Sequence, residues 1–180
     1  LGQAGNDTID GGAGDDYLDG GTGSNTLSFA TATTDVKANF DIATHYSIVA
    51  QAAIGAGSDQ LFNFTNLLGS AQHDTLIGSS IANVISGNDG NDTIDGGSGF
   101  NRYVVTGTAD GYIWSINSSG NLTLTDDITD QANLLDGTNE GIDTIKNIQE
   151  IEYRLPNGTT ESVITLDDYS STADTSNIEI

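Results

Sequence analysis

A glycine-rich nonapeptide repeats along this chain and limits the folds that it can adopt. Residues 2–28 divide into three consecutive nonapeptides and residues 69–104 into four more, without an insertion inside either block. The template is G-G-x-G-x-[D/N]-x-U-x, in which U is a large apolar residue. The sixth position is occupied by Asp7, Asp16, Asn25, Asp74, Asn83, Asp92 and Asn101. A register kept through seven units predicts a stacked repeat architecture.

The period of the template has a direct physical interpretation. The six residues G-G-x-G-x-D predict a turn, and x-U-x predicts a short strand with one inward side chain. Two nonapeptides would complete a coil, so turns one coil apart would stack at about one strand spacing (~4.8 Å). Carbonyl and carboxylate oxygens of stacked turns could then hold a cation at about 2.3–2.6 Å. Because the core is thin, we expect metal binding to offset the cost of ordering glycine-rich turns.

Composition favours hard cations as partners and argues against nucleic acid. The chain has 26 acidic residues, four basic ones and a formal net charge of −22. The acids are 21 Asp and only 5 Glu, and Asp is favoured in turns and oxygen-ligand cages. Four scattered cations cannot neutralise a phosphate track. No cysteine is present, so stabilising cross-links must use oxygen chemistry, and no apolar run approaches the roughly 20 residues of a membrane span.

Degenerate copies of the repeat extend the pattern beyond the two blocks. Asp59 and Asp143 occupy the sixth position of partial copies, and residues 57–68 align with residues 141–152. Apolar alternation predicts one hairpin from strands 112–116 and 122–125, and a second over residues 151–166 that turns at 156–158. The chain opens in mid-repeat, so we expect it to be an excerpt of a longer protein.

The nonapeptides resemble the repeats-in-toxin family, the haemolysin-type calcium-binding repeats, most specifically over residues 2–28 and 69–104. The resemblance implies a right-handed parallel β-roll, export by a type I system of Gram-negative bacteria, and folding triggered by extracellular Ca²⁺. It also implies ligands from positions two, four and six of one turn and positions one, three and six of the turn one coil later.

Transferred residue by residue, the resemblance gives several candidate calcium ligands. The strongest set joins turns 69–74 and 87–92 through carbonyls of Ser70, Gln72, Gly87 and Asp89 and the carboxylates of Asp74 and Asp92. The second joins turns 2–7 and 20–25 through carbonyls of Gln3, Gly5, Gly20 and Thr22, the Asp7 carboxylate and the weaker Asn25 amide oxygen.

Further candidates lie at the ends of the blocks. A terminal site would use Asn88, Gly90, Asp92 and Asp110, which stands one coil after Asp92 in sequence. Asp16, Asp59 and Asp143 are also candidate ligands, although the partner of Asp16 is not defined. Turns 78–83 and 96–101 carry Asn at both sixth positions, and we expect no ion between them.

Catalysis is not expected. The chain has no H-E-x-x-H or G-x-S-x-G signature, and adjacent acids such as Asp15 and Asp16 are explained by the repeat. Tyr112 and Trp114 could form a sugar-stacking platform, but we favour packing of the hairpin onto the repeats.

The sequence therefore predicts a single elongated all-β module over residues 1–180, a parallel β-roll with an antiparallel hairpin cap at its C-terminal end. Its parts are a first nonapeptide block (2–28), irregular coils with loops (29–68), a second block (69–104) and a capping region (105–180). We expect a calcium-folded structural module of a secreted or cell-surface bacterial protein, of adhesin or surface-layer type. The alternatives are an accessory module of an exported protease, lipase or polysaccharide-modifying enzyme, and a carbohydrate-binding module. Other copies of the chain and cell-surface glycans are further candidate partners.

Overall fold

Short β-strands make up most of the regular structure in the computed structural model, which describes residues 1–40, 48–49, 58–119, 121–126 and 141–166. No α-helix occurs in these ranges; one 3₁₀ turn spans Ala109–Gly111. The strands are β1 (Thr8–Ile9), β2 (Tyr17–Asp19), β3 (Thr26–Ser28), β4 (Lys37–Asn39), β5 (Ile48–Val49), β6 (Ser58–Phe62), β7 (Asn66–Leu68), β8 (Thr75–Ile77), β9 (Val84–Ser86), β10 (Thr93–Asp95), β11 (Arg102–Thr106), β12 (Tyr112–Ile116), β13 (Leu122–Asp126), β14 (Ile142–Lys146), β15 (Glu150–Arg154) and β16 (Thr160–Thr165).

Consecutive repeat strands alternate between sheets, and pairing within the sheets is mostly parallel. One sheet has the order β1-β3-β7-β9-β11-β15-β16, a second β12-β13-β14-β10-β8-β4, and a third β2-β6-β5. Inside the nonapeptide blocks, paired residues stand one 18-residue coil apart, as in Ile9 with Leu27 and Leu76 with Ile94. The predicted coil period is confirmed inside the blocks, because strands one coil apart pair through the same template position.

The apolar residue at the eighth position forms the core. Its side chain is buried in six of the seven repeats, and the exception, Ile9, is partly buried and packs against the same cluster. A strand of three residues points one side chain inward, since successive side chains alternate faces. The core is consequently one side chain wide per nonapeptide, as the template predicts.

The degenerate copies continue the stacking. β6 pairs with β2 and β7 pairs with both β3 and β9, whereas β14 pairs with β10 and β15 pairs with β11. The two aligned segments, 57–68 and 141–152, therefore supply equivalent strand pairs after the two nonapeptide blocks. Between the blocks, β4 also pairs in parallel with β8, with Ala38 opposite Leu76. The segment 29–40 therefore contributes a strand to the stack of coils.

Both predicted hairpins are confirmed. β12 and β13 pair in antiparallel fashion, and β13 continues onto β14. β15 and β16 pair in antiparallel fashion at the edge of the seven-stranded sheet. On β15, the buried carboxylate of Glu152 is bound by Arg102, Arg154 and Thr160. Burial opposes ionisation of Glu152, but these partners outweigh it and lower its pKa to about 2.

Candidate metal centre

The sixth-position side chains form hydrogen-bonded ladders between stacked turns. In each step, the backbone N–H of one sixth-position residue donates to the side-chain oxygen at the equivalent place in the next coil. One ladder runs from Asp74 to Asp92 and on to Asp143, with N···O distances of 2.8 Å. The same bond joins Asp16 to Asp59 at 2.9 Å. The sixth-position side chain therefore lies between the turns instead of in solvent.

Corresponding ladders run along the turns that lead into the seven-stranded sheet. The N–H of Asp7 donates to Asn25, and the N–H of Asn83 donates to Asn101, both at 3.0 Å. The N–H of Asn101 in turn donates to Gln149 at 2.7 Å, so a glutamine ends this ladder. The template did not predict the role of Gln149, because that residue lies outside any recognisable repeat turn.

Glycine at the first position gives the sixth-position side chain its room. A Cβ on Gly69 would lie 2.6 Å from Oδ2 of Asp74, and a Cβ on Gly2 would lie 2.6 Å from Oδ2 of Asp7. Real Cβ atoms do not come so close to an oxygen, so the first position must remain glycine wherever the sixth side chain folds back over it. The glycine at the first position of the template therefore makes room for the side chain at the sixth position.

Three sixth-position carboxylates carry a buried oxygen without a hydrogen-bond partner among the described residues. These atoms are Oδ2 of Asp7, Asp16 and Asp92. Buried carboxylate oxygens are almost always hydrogen-bonded or bound to a cation, because an unpaired buried charge is costly. The Oδ2 atoms therefore fit a hard cation, for which carboxylate and carbonyl oxygens are the preferred ligands.

At the predicted site between turns 2–7 and 20–25, the structure brings several candidate ligands together. A Cβ on Gly2 would lie 2.6 Å from both Oδ2 of Asp7 and the carbonyl oxygen of Gly20, so both oxygens face the same point. The carbonyls of Gln3 and Thr22 accept hydrogen bonds of 2.8 and 3.0 Å across the two turns, from Thr22 and Gly5 respectively. The Asn25 oxygen accepts from Asp7, as described above.

At the predicted site between turns 69–74 and 87–92, the two carboxylates have different partners. The N–H of Ser70 donates to Oδ2 of Asp74 at 2.6 Å, the Ser70 hydroxyl lies 3.0 and 3.1 Å from its two oxygens, and the N–H of Val36 donates to Oδ1 at 2.7 Å. Asp92 uses only Oδ1, toward Asp74. The role of Ser70 as a side-chain partner of Asp74 was not predicted from the sequence. The signal available was serine at a position that is otherwise glycine, asparagine or glutamine.

The terminal ladder position after Asp92 is occupied by Asp143. Asp110, the residue one coil after Asp92 in sequence, is exposed and lies in the 3₁₀ turn Ala109–Gly111. The hairpin β12–β13 is inserted at this point, so the register resumes only at Asp143. Asn88 and Gly90 precede Asp92 in a turn in which both have positive φ, 65° and 120°.

Tyr103 links the core to this end of the ladder. It fills an eighth position, is fully buried, and donates its hydroxyl proton to Oδ2 of Asp143 at 2.6 Å. A buried tyrosine usually has a partner for its hydroxyl. Tyrosine at a position otherwise filled by Leu or Ile was the sequence signal that could have indicated this contact.

Burial of the ladder makes ionisation of its carboxylates costly. Removal from water raises the pKa of Asp92 to about 8 and that of Asp143 to about 7, with further contributions from neighbouring Asp charges. Burial also raises the pKa values of Asp74 and Asp59. In the absence of a cation, the ladder opposes the charged state that calcium requires.

The aromatic pair on the hairpin packs onto the fold. Tyr112 is buried, its hydroxyl donates to the carbonyl of Thr106, and its ring centroid lies 5.5 Å from that of Tyr153. Trp114 is half-buried, with its ring centroid 6.5 Å from that of Tyr153. Both rings thus contact the body of the molecule on β15.

The model of the RTX calcium-binding nonapeptide repeat matches residues 1–27 and 68–103, in four copies. These stretches are RTX calcium-binding repeats. The RTX family binds Ca²⁺, and the chain accordingly contains a calcium-binding structural module. A comparison with curated proteins finds no match.

The RTX ligand scheme asks for two carboxylates per ion and takes the remaining ligands from carbonyls. In the described ranges, no three His, Cys, Asp or Glu side chains group together as a metal site. In the same ranges, no helix has the length and hydropathy needed to cross a membrane.

Proposed function

We propose that residues 1–180 form one elongated module that folds as a right-handed parallel β-roll when it binds Ca²⁺. The module would be a structural part of an exported cell-surface protein of adhesin or surface-layer type. The observation that carries the proposal is the set of buried, unpartnered Oδ2 atoms on Asp7, Asp16 and Asp92. A cation between the turns would supply the charge partner that these oxygens lack.

Charge and core size both support dependence on calcium. A net charge of −22 makes the chain repel itself when no cation is bound. The core contributes about one apolar side chain per nonapeptide, which is little burial for a glycine-rich backbone. Extracellular calcium modules typically bind at about 10⁻⁴–10⁻³ M, so such a chain would stay unfolded in a calcium-poor cytosol and fold after export.

Circular dichroism of the full chain tests the proposal. In excess chelator we expect little β-structure, and on addition of millimolar Ca²⁺ we expect a cooperative gain of β-signal. Mg²⁺ at the same concentration is the control, because it demands a smaller octahedral site and releases its water reluctantly. Full β-structure in chelator, unchanged by Ca²⁺, would contradict the proposal.

A carbohydrate-binding function receives no specific support from the hairpin. Tyr112 is buried and Trp114 packs toward Tyr153, so the two rings are engaged with the fold. A glycan array with Trp114→Ala as the control would test it. A catalytic domain in the same protein would favour an accessory module of an exported enzyme, and further repeat blocks would favour a surface module.

A further inference from the structure

The seven nonapeptide turns share one template, but they satisfy the sixth-position side chain in three different ways. Where a preceding coil exists, one atom of that side chain usually bonds to the backbone of the preceding coil. We call the remaining oxygen or nitrogen the second atom. What the second atom contacts separates the turns that need a cation from those that do not.

In the first kind of turn, the second atom is a carboxylate oxygen with no partner among the residues that the structure describes. This holds for Oδ2 of Asp7, Asp16 and Asp92, in turns 2–7, 11–16 and 87–92. In all three, the second and fourth positions are left-handed: φ is 69° at Gln3, 75° at Gly12 and 65° at Asn88, and 133°, 117° and 120° at Gly5, Gly14 and Gly90. An ionised carboxylate is only an acceptor, so a nearby carbonyl such as that of Gly20, which lies with Oδ2 of Asp7 within 2.6 Å of one point beside Gly2, cannot serve as its partner.

In the second kind of turn, an asparagine amide provides the donor. Turns 20–25 and 96–101 have the same left-handed second and fourth positions. Here the second atom is Nδ2, which donates from Asn25 to the carbonyls of Asn63 at 3.0 Å and Gly21 at 3.4 Å. Nδ2 of Asn101 donates equivalently to Asn147 at 3.0 Å and Ser98 at 3.2 Å. The amide group does for these carbonyls what a cation would do in an Asp turn.

In the third kind of turn, a serine at the second position closes the turn. The N–H of Ser70 donates to Asp74 at 2.6 Å and the N–H of Ser79 donates to Asn83 at 2.7 Å. The serine hydroxyls bond to the same side chains and accept from the N–H at position four, in Gln72 and Ile81. Turns 69–74 and 78–83 thus share one closed arrangement, and neither has glycine at position four.

The N–H at position two points in different directions in the closed turns and in the turns that have glycine at that position. Where position two is a left-handed glycine, its N–H donates to the Asp that ends the preceding repeat: Gly12 to Asp10, Gly21 to Asp19 and Gly97 to Asp95, at 2.9, 2.9 and 3.0 Å. In the serine turns the preceding repeat ends in Leu68 or Ile77, whose side chains cannot accept a hydrogen bond. The serine N–H instead donates to the sixth-position side chain of its own turn.

We propose that, among the seven nonapeptide turns, only 2–7, 11–16 and 87–92 require Ca²⁺, with Asp7, Asp16 and Asp92 as the obligatory carboxylates. The other four close without metal, through the Asn25 and Asn101 amides and through Ser70 and Ser79. Asp74 is then a structural residue held by Ser70. This inference rests on the proposed calcium-binding function and specifies which turns perform it.

The test is the number of Ca²⁺ ions bound per full-length chain, measured by equilibrium dialysis at saturating Ca²⁺. Asp7→Asn and Asp92→Asn should each bind one ion fewer than the wild type, because the new amide replaces the cation. Asp74→Asn should bind the wild-type number. Asn25→Asp converts an amide turn into an open carboxylate turn and should bind one ion more.

Urea unfolding of each variant in Ca²⁺ shows whether it is folded. Glu161→Gln, which removes an exposed charge on β16 away from the repeat turns, controls for net charge. Loss of an ion in folded Asp74→Asn, or the wild-type number in both Asp7→Asn and Asp92→Asn, would overturn the inference while leaving calcium binding intact. Absence of bound Ca²⁺ in the wild-type chain would instead refute the proposed function. A gain of one ion in Asn25→Asp supports the inference even if another variant fails to fold.

Discussion

Replacing Asp92 by Asn should stabilise the calcium-free fold and reduce the stabilisation that calcium gives. Asp92 is 2% exposed, its Oδ1 accepts from the N–H of Asp74, and its Oδ2 has no partner in the described part of the chain. Asparagine retains the oxygen that the ladder needs and removes the buried charge. Its Nδ2 adds a hydrogen-bond donor, the group through which Asn25 and Asn101 bind carbonyls in their own turns.

The size of the change in unfolding free energy follows from the cost of burying the Asp92 carboxylate. Burial raises the pKa of Asp92 from 3.8 to about 8. Each tenfold change in proton affinity is worth about 1.4 kcal/mol, so the carboxyl lowers the free energy of unfolding of the calcium-free fold by up to about 4 kcal/mol at pH 7. In calcium most of this gain is cancelled, because one lost site at a free concentration of about 100 Kd removes about 2.7 kcal/mol and leaves a net change of only about 1 kcal/mol.

Urea unfolding followed by the fluorescence of Trp114, the single tryptophan, measures both effects. The calcium-free series is run in chelator with a fixed concentration of trimethylamine N-oxide, which favours burial and keeps the fold populated. We expect Asp92→Asn to raise the unfolding midpoint in chelator and to reduce the stabilisation by Ca²⁺ by about 3 kcal/mol. An equal loss of stability in both conditions would refute the reasoning, since it would make Asp92 a structural residue only.

Three further predictions concern the core, the turns and pH. Leu76→Ala should lower the free energy of unfolding in Ca²⁺ by about 2–5 kcal/mol in urea titrations, because Leu76 is fully buried between β4 and β10; a loss below 1 kcal/mol would contradict the assigned core. Gly23→Ala should prevent cooperative folding in circular dichroism at any Ca²⁺ concentration, since φ is 126° and a Cβ would collide with the carbonyl of Gly5; a wild-type transition would show that the turns are not stacked as described. The raised pKa values of Asp92 and Asp143, about 8 and about 7, mean that the calcium-free fold gains stability as pH falls from about 8 toward 4, and loses it as pH rises. Calcium affinity should change in the opposite direction, weakening in acid because protons compete for the same oxygens. Calcium titrations at several pH values check the affinity, and urea unfolding in chelator at the same pH values checks the stability of the calcium-free fold.

Much of the architecture could be predicted because the repeat encodes it locally. Eighth-position residues such as Leu76 and Ile94 are buried opposite each other, since a strand of three residues can point only one side chain inward. The alignment of residues 57–68 with residues 141–152 likewise predicted equivalent strands after each block. These features depend on spacing along the chain, which the sequence states directly.

Connections across the insertions could not be predicted in the same way. Counting one coil from Asp92 leads to Asp110, but the β12–β13 hairpin displaces the register, and Asp143 takes the place in the ladder. Similarly, Val36 donates to Asp74 although it belongs to no repeat. The spacing of residues in the sequence does not show how many residues of an inserted hairpin or loop lie outside the stacked coils.

The amino-acid sequence by itself determined the coil period, the inward residue of each strand, and the use of oxygen ligands and calcium, because each follows from local turn chemistry repeated in register. Only the tertiary structure decided which sixth-position side chains lack a partner. Asp74 and Asp92 occupy identical places in the template, yet one is bound by Ser70 and the other leaves an oxygen unpaired. The Ser70 N–H points toward the sixth position of its own turn, and that direction is set by the conformation of the turn, which the template does not specify.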